Sequence, residues 1–424
     1  MKSGAYQFHT LGCKLNFAES SFLGRQLTEA GFHKAAEGEE PDVCIINSCT
    51  VTDTADKKGR QLIHRIRREH PDAFLVVTGC YAQLRGDEIA AMDGVDLVLG
   101  ANDKFKLADY LSQNIAHQPV ISDTRHMTPF FGACSKEDRT RYFLKIQDGC
   151  DCFCSYCAIP FARGRSRSGR IDDIVRSAHE VVENGGKEII LTGVNIGDFG
   201  KNTGERLIDL LHRLDAVEGL HRIRISSIEP DLLTDEIIDF TAGSKLFMPH
   251  FHIPLQSGSD KVLRIMHRRY DTALFAAKIH RIRQVLPNAF IGIDIIAGMR
   301  GETAADFEDS YRFVSGLEFA QLHVFPYSER AGTAALRQEG PVPEKEKKAR
   351  TVRLIELSAQ HKAAFVQAQT GTRHEVLWEA SRKRGFLFGF TDNYIRVRTP
   401  YDASKINQLE EITLNEEHIA HDEV

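Results

Sequence analysis

Two stretches of this chain alternate short apolar runs with helical patterns, and a polar segment divides them. No other feature restricts the fold as much. In residues 1–115 the apolar runs are Tyr6–Leu11, Val43–Ile46, Phe74–Val77 and Val95–Leu99. Between them, Leu23, Leu27 and Ala30 repeat at helical spacing before Gly31, and Leu62, Ile63 and Ile66 repeat before Pro71. Strands separated by helices predict an open parallel α/β domain with both faces of its sheet covered. Residues 116–140 lose the rhythm, carry Pro119 and Pro129, and read as a linker. The alternation resumes over 141–342 with six strand candidates: Tyr142–Ile146, Glu188–Thr192, His221–Ser226, His250–Leu255, Phe290–Ile296 and Gln321–Phe325. Helical segments such as Ile171–Glu183, Leu207–Val217 and Asp306–Leu317 lie between them. Six units predict a partial (β/α)6 barrel, short of the eight that close a full one. A charged helix is expected over 343–369, with Pro343 near its start and Gly371 past its end. Residues 370–424 turn β-rich, through His374–Glu379, Phe386–Phe390, Tyr394–Arg398 and Glu411–Leu414, and predict a small β-barrel.

The whole is an α/β protein long enough, at 424 residues, for two or three domains. It contains no run of eighteen apolar residues, and MKSGAYQFHT lacks a signal-peptide core, so a cytoplasmic protein without a membrane partner is expected. Nine cysteines in such a chain read as metal ligands or free thiols rather than disulfides. The net charge of −5 by itself argues against nucleic acid. Yet basic residues gather at His64-Arg65-Ile66-Arg67-Arg68, at Arg163, Arg165, Arg167 and Arg170, at His267-Arg268-Arg269, and at Arg382-Lys383-Arg384. Such patches bind phosphates on mildly acidic proteins, although solvated helix faces give the same pattern.

Cys150, Cys154 and Cys157 form a Cys-x-x-x-Cys-x-x-Cys loop directly after the first barrel strand, at the end where (β/α) barrels place their chemistry. Soft thiolates suit iron–sulfur clusters or zinc. A closed zinc site wants a fourth ligand, and the nearest candidate, Cys152, lies inside the loop. Three thiolates on a four-iron cluster would leave one iron open. A second set is dispersed: Cys13 in HTLGCKLN, Cys49 in INSCTVT and Cys80 in VVTGCYAQ each follow a parallel strand, preceded by Gly or Ser. Ligands bind at that edge of open α/β sheets, so the three either converge on one metal centre or are separate core thiols. Cys44 reads as core, Cys134 as linker, and Cys152 has no assigned role. Glycine-rich strand ends in LTGVNIGDFG, IPLQSGSDK and IDIIAGMRGET ring the same barrel mouth, where glycine lets backbone approach a ligand.

Taken together, TLGCKLN, INSCTVT, TGCYAQ, GCDCFCSYCAIPFARG, LTGVNIG and HIPLQSGSD resemble the methylthiotransferases of the radical S-adenosylmethionine (SAM) superfamily, almost end to end. The resemblance implies an N-terminal domain with a second cluster, a radical SAM partial barrel and a C-terminal TRAM β-barrel. It implies two [4Fe–4S] clusters, one on Cys150, Cys154 and Cys157 and one on Cys13, Cys49 and Cys80, and no separate catalytic side chain. SAM would bind the first cluster as radical source and also serve as methyl donor, while the second cluster would supply sulfur. SAM contacts are expected at Gly193, Asn195, Ser226, Gln256 and Asp294. RNA contacts are expected at Arg163, Arg165, Arg167, Arg382, Lys383, Arg384, Arg396 and Arg398, with Phe386, Phe388, Phe390 and Tyr394 mostly filling the β-barrel core.

IPFARGRSRS, LTGVNIGDFG, VFPYSERAGT and FTDNYIRV are most similar to the branch that modifies carbon 2 of threonylcarbamoyladenosine beside the anticodon of tRNA. The isopentenyladenosine branch usually carries Glu-Val-Ser-Arg after the cysteine loop, where this chain has Arg-Ser-Arg-Ser; it is the alternative substrate. A non-catalytic RNA-binding redox sensor is the alternative of another class, disfavoured by the presence of all six cysteines. Gly298-Met299-Arg300 departs from the Gly-Phe-Pro common in the family. A monomer is expected, with tRNA, an electron donor and a sulfur source as partners.

Overall fold

A computed structural model describes residues 3–50, 52–113, 119–127, 129–135 and 140–420. Strands β1 (Gly4–Thr10), β2 (Phe32–Lys34), β3 (Val43–Ser48), β4 (Phe74–Gly79), β5 (Leu97–Leu99) and β6 (Pro119–Val120) form one parallel sheet in the order β2-β1-β3-β4-β5-β6. Every residue of β3 is buried. Its Cys44 and Ile46 pack on Leu62, Ile63 and Ile66 of the helix Asp53–Glu69, while Val43 and Ile45 pack on the opposite face with Leu27 of the helix Lys14–Glu29. A strand covered on both sides needs apolar residues at successive positions, and VCII supplies them.

Strands β7 (Ala133–Cys134) and β8 (Arg141–Lys145) pair antiparallel, and β9 (Gln147–Asp148) pairs with β10 (Arg167–Ser168). Strand β8 then begins a parallel series with β11 (Glu188–Thr192), β12 (Arg222–Ile225), β13 (His250–Gln256), β14 (Phe290–Ala297) and β15 (Gln321–Pro326). Parallel bridges Ile223–Phe247 and Ser227–His252 join the β12 and β13 edges. The six strands make the open barrel that the alternation predicts. Outward-facing Ile189, Leu191, Ile223, Ile225, Phe251, Ile253, Ile291 and Ile293 share the main core with the surrounding helices. By strand alternation, the polar residues between them line the inner face.

That inner face is closed from two directions. Phe17, Ala18 and Phe22 of the helix Lys14–Glu29 pack on Phe143 and Ile190 of β8 and β11. At the N-terminal ends of the strands, Arg222 and Arg224 donate to Glu375 and to the carbonyls of Phe390, Thr391 and Asp392. Arg141 pairs with Glu379 at 2.8 Å and covers the Phe390 ring. These partners belong to a curled antiparallel sheet of β16 (Arg373–Lys383), β17 (Phe386–Thr391), β18 (Arg396–Pro400) and β19 (Leu409–Thr413), ordered β18-β17-β16-β19. It follows the helix Glu344–Gln369, whose Ser358 hydroxyl accepts from the Leu322 amide of β15.

Two expectations need correction. The 116–140 stretch is not a bare linker, because it supplies edge strand β6 to one sheet and β7 to the other; Cys134 is accordingly 5% exposed inside β7. Arg163 and Arg167 are not surface RNA contacts, since only 3% and 5% of their side chains are exposed. Arg268, from the His267-Arg268-Arg269 cluster, is likewise buried, with 3% exposed. Their charge is legible in the sequence, whereas the carboxylates that draw them inward come from distant segments.

Candidate active site

Strands β1, β3 and β4 are neighbours, so the residues just past their C-terminal ends share one edge of the sheet, about 4.8 Å apart per strand. Those residues are Cys13, Cys49 and Cys80. Gly12 adopts φ +104°, and a Cβ there would fall 2.5 Å from Cys49 Cβ, so only glycine lets the Cys13 turn close on Cys49. Gly79, at φ +98°, presses equally tightly on the Ser48 carbonyl and launches Cys80 into the helix Cys80–Leu84. Asn16 Nδ2 donates to Leu11 O at 2.7 Å and Ser48 O at 3.1 Å, and Asn47 Nδ2 donates to Asn16 O at 3.0 Å. These bonds lace the strand ends together. Cys13 is exposed, whereas Cys49 and Cys80 are buried. Burial pushes the Cys80 thiol up, against the opposing charge of Arg163.

The second trio is local. Cys150 leaves β9 with its amide bonded to Gly164 O at 3.0 Å, and Cys157 N donates to Cys154 O at 3.0 Å. Ser155 ties the loop to the turn after the helix Asp260–Ile265, through Ile265 O at 2.7 Å and Met266 O at 3.0 Å. Arg268 Nη1 donates to Cys154 Sγ at 3.0 Å, while its Nη2 pairs with Glu229 and its Nε donates to the Tyr270 hydroxyl at 2.9 Å. Burial pushes the Cys157 thiol up to about 12 and raises Cys154 as well, where Arg268 opposes it. Cys152 Sγ accepts from Asn195 Nδ2 at 3.8 Å. Its backbone amide donates to Cys150 Sγ at 3.4 Å, so Cys152 also lies against the trio.

Arg163, six residues beyond Cys157, brings the trios together. Its Nε donates to Cys80 Sγ at 3.2 Å, and its Nη atoms reach Asn16, Glu19 and Asp148. Glu19 also takes Lys104 at 2.5 Å and Lys145 at 2.8 Å, and Asp148 takes Lys145 at 2.7 Å and Arg167 at 3.0 Å. Burial opposes ionisation of both carboxyls, but Arg163, Lys104 and Lys145 hold Glu19 well below the usual range, and Lys145, Arg163 and Arg167 do the same for Asp148. The group therefore sets four cations against two carboxylates, no side chain being more than 5% exposed. A positive surplus buried beside Cys13 and Cys80 is costly alone and suits an anionic group there. A cluster carried by three thiolates fits. The loop fits likewise, with the three thiols of Cys150, Cys154 and Cys157 gathered in one turn.

The other expected site residues ring the loop unevenly. Gly193 and Asn195 follow β11, where Gln147 Oε1 accepts from the Asn195 amide at 2.9 Å. The Asn195 and Ser226 side-chain oxygens are buried and have no hydrogen-bond partner among the described residues. Gln256 ends β13 at φ +67°, a left-handed backbone. Asp294 lies within β14 and instead meets His252 at 2.8 Å; with His323 these three bring one ligand atom each within 4.8 Å of one another. Met299 is buried among Val262, Met266 and Tyr327, and Arg300 pairs with Glu329 at 2.6 Å, so the departure from Gly-Phe-Pro is absorbed by local packing. Of the expected RNA-binding residues, Arg165 is exposed and covers the Phe153 ring, beside exposed Phe161. Arg382, Lys383, Arg384 and Arg396 are exposed on the C-terminal sheet, and Arg396 and Arg398 lie over the Phe388 and Phe386 rings. Phe390 and Tyr394 stack against each other near the barrel floor.

Glu19, Lys104, Lys145, Asp148 and Arg268 escaped prediction. Glu19 had a readable signal: it stands four residues from Leu15 and Leu23 on the buried stripe of its helix, where a charge demands a partner. Comparison with known proteins adds the following. Residues 144–314 match the Radical SAM superfamily, and residues 5–100 match "Uncharacterized protein family UPF0004". The chain is 41% identical over 406 residues to the threonylcarbamoyladenosine tRNA methylthiotransferase MtaB of Bacillus subtilis (strain 168), covering 92% of this chain and 89% of that one. It is 31% identical to the tRNA-2-methylthio-N(6)-dimethylallyladenosine synthase of Syntrophus aciditrophicus (strain SB), over 88% and 83%. The solved structure of the radical SAM methyltransferase TsrM from Kitasatospora setae, with tryptophan and a SAM analogue, aligns at TM-score 0.57 and 14% identity, covering 77% of this chain and 73% of that one. This last is a likeness of fold. No helix among the described residues is long and apolar enough to cross a membrane.

Proposed function

This chain belongs to the radical SAM methylthiotransferases, and we propose that it adds a methylthio group to carbon 2 of threonylcarbamoyladenosine next to the anticodon of tRNA. The substrate reading rests on the 41% identity to a relative of that title, against 31–34% to relatives named for dimethylallyladenosine. The two-site reading rests on one geometric observation: Arg163 of the radical SAM loop's own helix touches Cys80 of the N-terminal sheet.

In this reading Cys150, Cys154 and Cys157 hold one [4Fe–4S] cluster and Cys13, Cys49 and Cys80 hold the other. When bound, these clusters and SAM supply a hydrogen-abstracting radical, a sulfur atom and a methyl group. The chain's own residues position and shield. Arg268 offsets the negative charge of the Cys154 thiolate. Asn195 and Ser226 offer unsatisfied oxygens, and Gly193 and Gln256 offer strand-end backbone, to SAM at the mouth. Asp294, within β14, is paired with His252 rather than left open to SAM. The helix Lys14–Glu29 and the curled C-terminal sheet keep water from the barrel interior. For RNA, Arg165 with Phe153 and Phe161 sits beside the cysteine loop, where an unstacked base must arrive. Arg382, Lys383, Arg384, Arg396 and Arg398 serve the phosphate backbone from the C-terminal sheet.

Mass spectrometry of tRNA nucleosides from cells lacking this protein tests the reading. The expected result is loss of 2-methylthio-threonylcarbamoyladenosine with accumulation of its unmodified parent. An unchanged level contradicts the assignment, and loss of the isopentenyl derivative instead moves the chain to the other branch.

A further inference from the structure

We propose that Arg163 is a positioning residue for the cluster on Cys13, Cys49 and Cys80: it fixes the Cys80 thiolate from across the domain boundary and raises that cluster's reduction potential. This rests on the two-cluster reading above. A guanidinium has five N–H donors in a rigid plane. Here all five have acceptors: Cys80 Sγ at 3.2 Å from Nε, Glu19 Oε1 and Asp148 Oδ1 at 3.1 Å from Nη1, and Asn16 Oδ1 at 2.7 Å and Glu19 Oε2 at 3.2 Å from Nη2. The side chain is therefore held with no freedom to serve RNA, and its orientation toward the sulfur is set by four other bonds.

The electrical consequence follows from charge. A [4Fe–4S] core of charge 2+ on three thiolates carries one net negative charge, and one-electron reduction adds a second. The cations beside it outnumber the carboxylates, and Arg163 is the one that touches a ligand sulfur. Hydrogen bonds to cluster sulfurs and nearby charge are the protein's levers on potential. Both favour the reduced form here. Asp148 extends the link, because its Oδ1 also accepts from the Gly149 amide at 2.8 Å, next to Cys150. Arg163 thus bridges one trio's ligand to the other trio's backbone.

The test uses the full chain with Cys150, Cys154 and Cys157 replaced by Ala, leaving the N-terminal site alone. It is reconstituted anaerobically with iron and sulfide, then titrated with dithionite and redox mediators while the reduced cluster is followed by electron paramagnetic resonance. Arg163→Met is expected to shift the midpoint negative, Arg163→Lys to give a smaller negative shift, and Glu19→Gln, which removes a neighbouring negative charge, to shift it positive. Loss of cluster from Arg163→Met with retention in Arg163→Lys also supports the fixing of Cys80. An unchanged midpoint in the variants that load, or shifts of one sign in both Arg163→Met and Glu19→Gln, overturns the proposal. If both Arg163 variants lose the cluster, a positive Glu19→Gln shift supports the proposal, and an unchanged or negative one overturns it. Failure of the parent to hold any cluster overturns the two-cluster reading itself, a distinct outcome read from the iron content.

Discussion

The Cys150–Cys157 loop gathers three thiols within eight residues, whereas Cys13, Cys49 and Cys80 reach one edge only because β1, β3 and β4 lie side by side. The first site is held by its own turns, the anchor at Ser155 and one arginine from the same domain, Arg268. The second depends on a folded sheet and on Arg163, which belongs to the other domain. A local site can form whenever its loop forms. A dispersed one inherits every interaction that aligns its strands, and its properties are set partly by its neighbour.

Substitution of the cysteines should divide the chemistry most sharply. Cys154→Ala is expected to abolish reductive SAM cleavage, measured as deoxyadenosine formed with dithionite. Cys80→Ala should still release deoxyadenosine but yield no methylthiolated tRNA. If Cys80→Ala also stops deoxyadenosine formation, the two sites are not separable in the manner described.

The arginines sharpen the contrast. Removing one partner from a buried ion group costs about 3–5 kcal/mol. Arg268→Ala strips Glu229 of the one cation paired with it among the described residues, whereas Arg163→Ala leaves Glu19 with Lys104 and Lys145, and Asp148 with Lys145 and Arg167. Denaturant unfolding of the metal-free chain should show the larger loss for Arg268→Ala. A larger loss for Arg163→Ala would mean that the cation surplus is not costly in the metal-free chain.

Acid acts next. Glu19 and Asp148 are held below their ordinary values by buried cations, so their contribution is complete above about pH 4, the unfolded value, and fades as pH falls toward the depressed folded ones. Thermal melts of the parent and Glu19→Gln should therefore differ by a constant amount at pH 5–8 and converge below about pH 4. Divergence on acidification would contradict the sign. The smallest effect is kinetic. In the metal-free chain, iodoacetamide should label exposed Cys13 before buried Cys80 and Cys154 and half-buried Cys157, whose thiol is pushed up to about 12, as read by peptide mass mapping at pH 7. Equal labelling of Cys80 and Cys13 would place Cys80 at the surface.

What could be read from sequence follows the same division. Glu188–Thr192 is a strand at the predicted bounds, and the predicted Phe290–Ile296 ends one residue later, because each run is apolar on the face that meets the helices. Strands β2, β6 and β7 have only two or three residues and no period of their own; edges of neighbouring strands create them. The loop cysteines announce themselves by spacing. Arg163 does not announce its burial, since Glu19 is 144 positions away and the pairing exists only in the folded chain; Arg167 meets Asp148, 19 positions away, only because β9 and β10 pair. A glutamate on the apolar stripe of Lys14–Glu29 and a lysine ending the YFLK strand were the visible halves of that network.

Iron and acid-labile sulfide analysis of three anaerobically reconstituted full-length proteins tests the central claim most directly: the parent, the Cys13/Cys49/Cys80→Ala protein and the Cys150/Cys154/Cys157→Ala protein. Two independent sites predict about eight iron per chain in the parent and about four in each variant. A parent with about four iron, or an N-terminal variant that keeps about eight, would contradict it.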